Sequence, residues 1–330
     1  DEQFFQKASQ PKLNYSLLSF TDCATLLPAD VLFDVAIANY EIKKSQFGNE
    51  ECLSFNDITD PLASIFYILS RMEEYATINK DSHDRFPAKA SILFQFGWLQ
   101  NAMCDRWAEA VIDFIEEKTF ITLNSKTPST EIIPTFDIDN TFAFKWKSGV
   151  RMWLSILRDW INRDRLRIES RKAVRRGQEK DPFDTYSYIL EIKKRGFDVH
   201  LFWLLGDYSK YDRNISNLDI RHQQFIEKMA SKVHLGLHPS YKSNTSNLIL
   251  RKEKLKIDTI LGRSTSISRQ HFLKLNIPIT YNNLIKNGFS EDFTMGYADE
   301  VGFRAGTAKP FRFFDLSKNM LTDYLIHPFV

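Results

Sequence analysis

Short apolar runs that are typical of buried strands alternate with amphipathic helical segments from Ile132 onward. Parallel strands need crossover connections of a dozen or more residues, which are usually helices, so this alternation predicts an α/β domain with a parallel sheet. The predicted strands are residues 132–136, 197–205, 233–237, 266–268 and 289–297. Predicted helices between them end at Gly196, Gly262 and Gly288.

Chemically reactive side chains stand at the end of four of these predicted strands. In open α/β sheets and in βα barrels, the carboxyl ends of parallel strands meet at one edge, where ligands bind. We therefore expect these side chains to converge on one site. They are Asp137 and Asp139, Asp207, His238, and Arg269 with His271.

The two carboxylates after the first strand indicate a metal site. Asp137 and Asp139 are two residues apart, so on a strand they face the same side at about 7 Å from each other. Two anions this close repel each other unless a cation lies between or beside them. A divalent metal meets this need, with one carboxylate as a ligand and the other available as a base. The alternative is a plain strand end, with Asp139 as the N-cap of the next helix.

Residues 1–128 carry short mixed elements and are expected to form a smaller α/β accessory domain, followed by a larger domain over residues 129–330. Asp60 and Pro61 predict the start of a helix, as its N-cap and first residue. A second amphipathic helix is predicted from an apolar stripe of Met103, Trp107, Val111, Phe114 and Ile115. Residues 123–130, rich in Ser, Thr, Asn and Pro, predict the connection between the two domains.

The whole chain is nearly neutral, with 44 Lys and Arg against 42 Asp and Glu. This balance does not indicate a nucleic acid or a membrane surface as partner. Residues 163–176 are rich in arginine and follow several tryptophans, a pattern that can mark nucleic-acid binding. Because acidic residues interrupt this stretch, we favour a solvated amphipathic helical insertion and predict no nucleic-acid partner.

Cysteine usage and hydropathy bear on the cellular context. The three cysteines lack the spacing of a metal site, which predicts reduced thiols in a cytoplasmic protein. Apolar runs fall short of the roughly 18 to 20 residues of a membrane span, so no transmembrane segment is predicted. The acidic start of the sequence is unlike a signal peptide.

Several segments resemble motifs of the polysaccharide deacetylase domain, also called the NodB homology domain or carbohydrate esterase family four. Its first motif is similar to residues 135–139 (TFDID), its histidine motif to residues 236–240 (GLHPS) and its arginine motif to residues 269–272 (RQHF). The chain resembles more closely a bacterial branch in which this barrel follows an N-terminal domain. That resemblance rests on residues 205–208 (LGDY), 236–241 (GLHPSY), 268–272 (SRQHF), 295–299 (MGYAD) and 302–307 (GFRAGT), and on 60–61 (DP), Arg71 and 74–75 (EY) in the preceding domain.

The resemblance implies an incomplete or distorted (β/α) barrel that removes an N- or O-linked acetyl group from a bacterial polysaccharide or glycan precursor. It implies Asp139 and His238 as ligands of a divalent metal, with Zn²⁺ preferred over Co²⁺, Ni²⁺ or Mn²⁺. Asp137 is then the base that deprotonates the attacking water, and Arg269 orients Asp137. Contacts with the acetylated carbohydrate are expected from Asp207, Tyr241, Asp299 and Arg304.

One departure from the family pattern concerns the ligands. The family carries a second histidine four residues after the first, where this chain has Lys242. His234 precedes His238 by four residues, but four residues of a strand span about 13 Å, too far for two ligands of one metal. We predict His271 as the third ligand or as a catalytic acid; the alternative is a hydrogen-bonded structural histidine.

Another departure concerns the end of the sequence. The family's last motif, a strand with a histidine that protonates the leaving group, is expected beyond a further helix, whereas the sequence ends at Val330. We therefore expect the barrel to lack its closing elements. This suggests an alternative function, in which a catalytically impaired barrel binds glycans or acts as an assembly partner.

Overall fold

The computed structural model describes residues 2–8, 11–21, 23–34, 37–76, 79–123, 131–147 and 149–330. The strands are β1 (Leu13–Tyr15), β2 (Ala24–Leu26), β3 (Ile42–Phe47), β4 (Glu50–Phe55), β5 (Ile58–Thr59), β6 (Thr135–Ile138), β7 (His200–Leu204), β8 (His234–His238), β9 (Ile267–Ser268), β10 (Glu291–Asp292), β11 (Phe311–Asp315) and β12 (Met320–Ile326). The α-helices are α1 (Glu2–Lys7), α2 (Pro61–Leu69), α3 (Met72–Ala76), α4 (Ile92–Gln95), α5 (Met103–Thr119), α6 (Gly149–Ile161), α7 (Arg165–Arg175), α8 (Tyr186–Lys194), α9 (Ile220–Ala230), α10 (Asn247–Leu261) and α11 (Ile279–Lys286).

Residues 130–274 and 283–289 form one compact unit, the sheet unit, which is built on parallel strands. Strands β6, β7, β8 and β9 lie side by side in that order, and all three neighbouring pairs are parallel. The first residues of β6, β7 and β8 are in register, so the carboxyl ends of these strands lie at one edge. All five residues of β7 are buried, as expected for a parallel strand covered on both faces. The predicted α/β class with a parallel sheet is confirmed.

Residues 1–129, 275–282 and 290–330 form the other compact unit, here called the N-terminal unit. Strands β3, β4 and β5 form an antiparallel sheet, β1 and β2 a parallel pair, and β12 lies between β11 and β10. The largest fully buried side chains of its core include Trp107, Phe55, Leu53 and Ile68. The unit thus has an apolar core of its own, formed mainly by β4, α2 and α5.

Three helices show features that their sequence signals predict. The carboxylate of Asp60 accepts hydrogen bonds from the backbone nitrogens at the start of α2, whose first residue is Pro61. Helix α5 buries Met103, Trp107 and Val111 of the predicted stripe, whereas Phe114 and Ile115 are only partly buried. Gly262 closes α10 in the left-handed conformation, with φ of 62°.

Four of the five predicted strands are shorter than expected, and for two of them a local cause is visible. The strand predicted from Ile132 begins at Thr135, because Pro134 has no N–H for the ladder, and Ile132 is exposed. The strand predicted over residues 289–297 is reduced to β10. Its end is set by Asp292, whose carboxylate accepts hydrogen bonds from both the backbone N and the hydroxyl of Thr294 and so turns the chain.

Some predictions stay open. The predicted connection falls largely on residues 124–130, which lie outside the described residues, and the domain boundary after residue 128 stays a prediction with it. Closure of the parallel strands into a barrel also stays a prediction. Among the helices of the described segments, none combines the length and apolar character that crossing a bilayer requires. The cysteines are free thiols, with Cys52 and Cys104 buried and Cys23 partly exposed.

Glu74 is a buried anion between two buried arginines of the N-terminal unit. Nε of Arg71 donates to it over 2.8 Å, and Nε and Nη2 of Arg304 donate over 2.9 and 2.6 Å. Burial raises the pKa of Glu74, but the guanidinium groups of Arg304 and Arg71 outweigh this effect and hold the pKa below its usual range. The guanidinium of Arg304, a predicted substrate contact, is therefore occupied by protein groups.

We expect Glu74→Gln to lower the free energy of unfolding by about 3 to 5 kcal/mol, because it removes the carboxylate that pairs with the buried guanidinium of Arg304 and leaves Glu73 to compensate Arg71. Denaturant titration measures this change. The control is Glu41→Gln, which removes an exposed ion pair with Lys43 and should leave the free energy of unfolding almost unchanged. Equal effects of the two substitutions would contradict a central role for Glu74.

Candidate metal centre

The carboxyl ends of the parallel strands bring the predicted ligands together. Asp139 directly follows β6, His238 is the last residue of β8, and Arg269 directly follows β9. Beyond β9, the backbone N of His271 donates to the carbonyl of Pro239 over 3.2 Å, which ties this segment to the loop after β8. His271 is thereby held at the same edge of the sheet as His238.

Asp139, His238 and His271 form a compact cluster. Oδ1 of Asp139 lies 3.2 Å from Nε2 of His238 and 3.5 Å from Nε2 of His271. One potential ligand atom of each residue lies within 4.8 Å of those of the other two. Both histidines are buried, whereas the side chain of Asp139 is 60% exposed. The cluster is therefore enclosed on the side of the imidazoles and open to solvent on the side of the carboxylate.

In each of the two imidazoles, Nδ1 donates a hydrogen bond that fixes the orientation of the ring. Nδ1 of His238 lies 2.6 Å from the carbonyl oxygen of Arg269, which can only accept, so Nδ1 carries the proton. Nδ1 of His271 lies 2.9 Å from Oδ1 of Asp212. In both rings Nε2 is turned toward Asp139, and in a neutral ring it offers a lone pair to a metal.

Asp212 is the site residue that sequence reasoning missed. It is 1% exposed, and it also accepts hydrogen bonds from the backbone N of Tyr241 over 2.9 Å and from the hydroxyl of Ser209 over 2.7 Å. The rule that reactive residues stand at strand ends selects Asp207 instead, because Asp207 is nearer to the end of β7. A carboxylate behind a ligating histidine has no fixed sequence spacing, since the pairing depends on how the loop folds back.

The ionisable groups of the cluster shift one another. Burial raises the pKa of Asp139, but hydrogen bonds with His238 and His271 outweigh this effect and hold it well below its usual range. Burial lowers the pKa of His271, whereas Asp139 and Asp212 raise it, to about 9. Burial raises the pKa of Asp212, but its bonds with His271 and the Tyr241 N–H lower it overall. The two carboxylates therefore favour positive charge between them.

Asp137 and Arg269 meet at the same edge of the sheet. Nη1 of Arg269 lies 3.4 Å from Oδ1 of Asp137. The Arg269 side chain is buried, and its guanidinium carbon lies 5.1 Å from the ring centre of Phe202. Ile138, between the two acids, is buried, so Asp137 and Asp139 both lie on the opposite side of β6, as strand alternation predicts.

The donor set fits a divalent transition metal. Two imidazole nitrogens and one carboxylate oxygen are common ligands of Zn²⁺ and are also found with Co²⁺, Ni²⁺ and Mn²⁺. Ligands at about 2.1 Å from one ion lie within about 4 Å of each other, so the three donor atoms need only small shifts to meet one ion. With three protein ligands, coordination positions remain for water and substrate.

Two of the predicted substrate residues lie in the sheet unit. Asp207 is exposed, and its carboxylate lies 2.9 Å from Nζ of Lys256. Tyr241 packs against Tyr211 and Phe272, with ring centroids 4.3 and 5.5 Å away. These three rings form an aromatic cluster on the chain that follows β7, β8 and β9.

The other two predicted substrate residues, Asp299 and Arg304, belong to the N-terminal unit. Oδ2 of Asp299 lies 3.3 Å from the backbone N of Ala88. Arg304 pairs with Glu74, as described above. Both residues thus have protein partners within that unit, and their contact with substrate stays a prediction.

A second group of ligand-type side chains lies at the amino ends of β7 and β8. His200 and His234 are the first residues of these strands, and their rings stack with centroids 4.8 Å apart. Oδ1 of Asp198 lies 3.1 Å from Nε2 of His234 and 3.1 Å from Nζ of Lys193. Lys193 already compensates the charge of Asp198, so hydrogen bonds and ion pairs are enough to explain why these side chains lie together. His234 and His238 are the first and last residues of β8 and so lie at opposite ends of the strand.

Glu253 supports the loop that follows His238. Its Oε2 accepts a hydrogen bond from the backbone N of Ser240 over 2.9 Å, and its buried Oε1 has no hydrogen-bond partner. Burial raises the pKa of Glu253 to about 7. The loop after β7 reaches this position only because residue 206 is glycine, since a Cβ there would lie 2.4 Å from Cβ of Ser240.

Comparisons with known proteins leave the family of the chain open. A family of unknown function (DUF7033) matches residues 1–120. None of the curated proteins matches the chain. A solved structure from Mycobacterium smegmatis, assigned as a polysaccharide deacetylase, is 14% identical with a TM-score of 0.36, and the match covers 61% of this chain and 59% of that one. IcaB from Ammonifex degensii is 15% identical with a TM-score of 0.30, over 53% of this chain and 91% of that one.

We expect Asp212→Asn to weaken Zn²⁺ binding by about 10- to 100-fold, because the amide no longer holds Nε2 of His271 toward Asp139 with a charged acceptor. Titration with a competing chromophoric chelator measures the affinity. The exposed Asp207→Asn provides the matched control and should leave the affinity unchanged. Equal affinities for the wild type and Asp212→Asn would show that His271 needs no such support.

Glu253 should make stability depend on pH. Its pKa of about 7 in the folded protein exceeds its ordinary value of 4.5, so its contribution to stability is complete below pH 4.5 and is lost as the pH rises through 7. The loss amounts to about 3 kcal/mol. We expect Glu253→Gln to remove this decline from the free energy of unfolding measured between pH 4.5 and 8. Glu227→Gln, on the exposed face of α9, should retain the decline.

Proposed function

We propose that this protein is a metal-dependent hydrolase that removes an N- or O-linked acetyl group from a polysaccharide or glycan precursor. The observation that carries the proposal is the cluster of Asp139, His238 and His271 at the same sheet edge as the Asp137–Arg269 pair. Metal-assisted acyl hydrolysis needs such a set, namely ligands that leave coordination positions open and a carboxylate near them that can accept a proton. The proposal that the substrate is an acetylated sugar rests on the motifs that resemble those of polysaccharide deacetylases.

Asp139, His238 and His271 would hold the ion, with Zn²⁺ as the preferred metal. When bound, a divalent ion polarises the acetyl carbonyl, lowers the pKa of water and stabilises negative charge on the carbonyl oxygen. The hydrogen bonds from His238 to the Arg269 carbonyl and from His271 to Asp212 keep both ligand nitrogens in place. The chain thus supplies a preformed set of donors.

Asp137 is the proposed general base. Its carboxylate is one-third exposed, so a water molecule can reach it. Arg269 fixes the direction of the carboxylate, because its own side chain is buried. Asp137 accepts the proton of the attacking water and can return it to the departing sugar nitrogen or oxygen.

The proposed substrate surface lies on the loops after β7 and β8. A cavity of about 190 Å³ borders Asp212 and is lined in part by Asp207, Tyr208 and Lys242. Acids, a phenol and an amine can hydrogen-bond sugar hydroxyls, and the ring of Tyr241 offers a flat apolar face to a pyranose. We infer that the parallel strands belong to an incomplete (β/α) barrel, as the motifs imply.

A second candidate function is glycan binding without turnover. It is favoured by Lys242, an exposed residue that stands where the resembled family has a ligating histidine. His271 argues against it, because its Nε2 completes a set of three donors without residue 242. Metal content of the purified protein separates the two functions.

We expect the purified protein to hold about one divalent ion and to release acetate from acetylated amino-sugar oligomers or O-acetylated glycans. Asp139→Ala should abolish both properties. Asp137→Asn should retain the ion but lower kcat by about 10²- to 10⁴-fold, because it removes only the base. Elemental analysis and an acetate assay measure the two readouts.

His234→Ala serves as the matched control, since it removes a histidine of β8 outside the cluster, and should retain both ion and activity. Protein without metal that still binds the oligomers would favour the second function. Loss of the ion in His234→Ala but not in Asp139→Ala would disprove the assigned ligand set.

A further inference from the structure

Helix α6 presents an exposed apolar face. Trp153, Leu157, Trp160 and Ile161 are 66%, 50%, 70% and 63% exposed. At 100° per residue, their spacing places all four within an arc of about 100°, the width of the apolar stripe by which a surface helix usually packs onto a core. In this protein the stripe faces outward, and Leu166, at the start of α7, extends it with 81% exposure.

Contacts on another side of α6 hold this orientation. Asp159 is 2% exposed and forms an ion pair with Arg171 of α7. The same guanidinium donates to Oγ of Ser155 over 2.8 Å. Rotating the apolar stripe inward would move the carboxylate of Asp159 away from its buried partner, which is costly for a buried charge. The outward position of the stripe is therefore set by a polar contact.

The apolar face lies within the most basic part of the chain. Residues 142–176 carry eleven Lys and Arg against three Asp and Glu, a net charge of +8, whereas the whole chain carries only +2. Arg158, Arg163 and Arg165 are exposed beside the apolar stripe. The buried carboxylate of Asp159 pairs with Arg171 and also lies 3.7 Å from Nη2 of Arg158. The surface thus combines tryptophan, aliphatic side chains and an excess of positive charge.

We propose that this surface binds an anionic phospholipid membrane, with α6 lying in the plane of the interface. Tryptophan and aliphatic side chains on one helix face, flanked by arginine, are the pattern of interfacial helices, which insert about 5 to 10 Å into the headgroup region. Anionic lipids attract basic residues that lie next to the membrane surface. With thirteen residues, α6 lies on the membrane and does not span it.

The charge and the apolar side chains of this surface disfavour other binding partners. A second copy of the chain would bring two surfaces of net charge +8 together, which opposes a dimer through this face. Nucleic acid satisfies the charge and could stack on the tryptophans, but it would leave Leu157, Ile161 and Leu166 without an apolar partner. A bilayer interface satisfies both the charge and the aliphatic side chains. The inference goes beyond the hydrolase proposal and does not depend on it.

Vesicle flotation with the full chain tests the inference. We expect binding to vesicles of phosphatidylglycerol and phosphatidylethanolamine, weakening with added salt, and at least tenfold weaker binding to phosphatidylcholine alone. Trp153→Ser combined with Trp160→Ser should reduce partitioning to the anionic vesicles at least tenfold. Arg165→Gln should reduce it about fivefold. Leu218→Ser, which changes a leucine that is 85% exposed outside this surface, should have no effect.

Additional measurements separate the outcomes. Brominated lipids should quench tryptophan fluorescence of the wild type and not of the double variant, whose fold is checked by circular dichroism. Equal vesicle binding by the wild type and the double variant would overturn the proposal. Two other results would also overturn it if the wild type does not bind vesicles. One is a dimer in sedimentation velocity that requires the two tryptophans, and the other is salt-sensitive binding of single-stranded DNA that requires them.

Discussion

Two hydrogen bonds donated by imidazole Nδ1 atoms determine which ligand atoms this edge of the sheet presents. One acceptor is the carbonyl of Arg269 and the other is the carboxylate of Asp212, and together they turn Nε2 of His238 and His271 toward Asp139. An imidazole without such a bond can rotate about its side-chain torsions and offer either nitrogen. The geometry of the candidate centre therefore depends on the position of the Arg269 carbonyl, directly after β9, and on the buried carboxylate of Asp212.

Buried carboxylates fix geometry at three places in this protein. Asp212 orients an imidazole, Glu74 joins two guanidinium groups, and Asp159 holds α6 against α7 through Arg171. Each is buried next to positive charge or a strong donor, because an uncompensated buried carboxylate costs several kcal/mol. Polar contacts of this kind set the orientation of elements whose apolar residues would allow several arrangements.

Helix ends were predicted correctly from the sequence where a single residue stabilises the end of the helix. Asp60 caps α2 and Gly262 closes α10, because a capping carboxylate and a left-handed glycine act on their own backbone. The strand predicted over residues 289–297 failed for a related reason. The carboxylate of Asp292 hydrogen-bonds to Thr294 and ends β10 after two residues, although apolar residues continue along the chain.

The sequence by itself determined the parallel α/β class, since apolar runs alternating with helices can bury their backbone in few other ways. It also placed Asp137, Asp139, His238, Arg269 and His271 at strand ends, and parallel strands bring those ends to one edge. Only the tertiary structure identified Asp212 behind His271, grouped His234 with Asp198 and paired Arg304 with Glu74. These pairings join residues far apart in the chain, and side-chain partners across loops follow from packing, which leaves no periodic trace in the sequence.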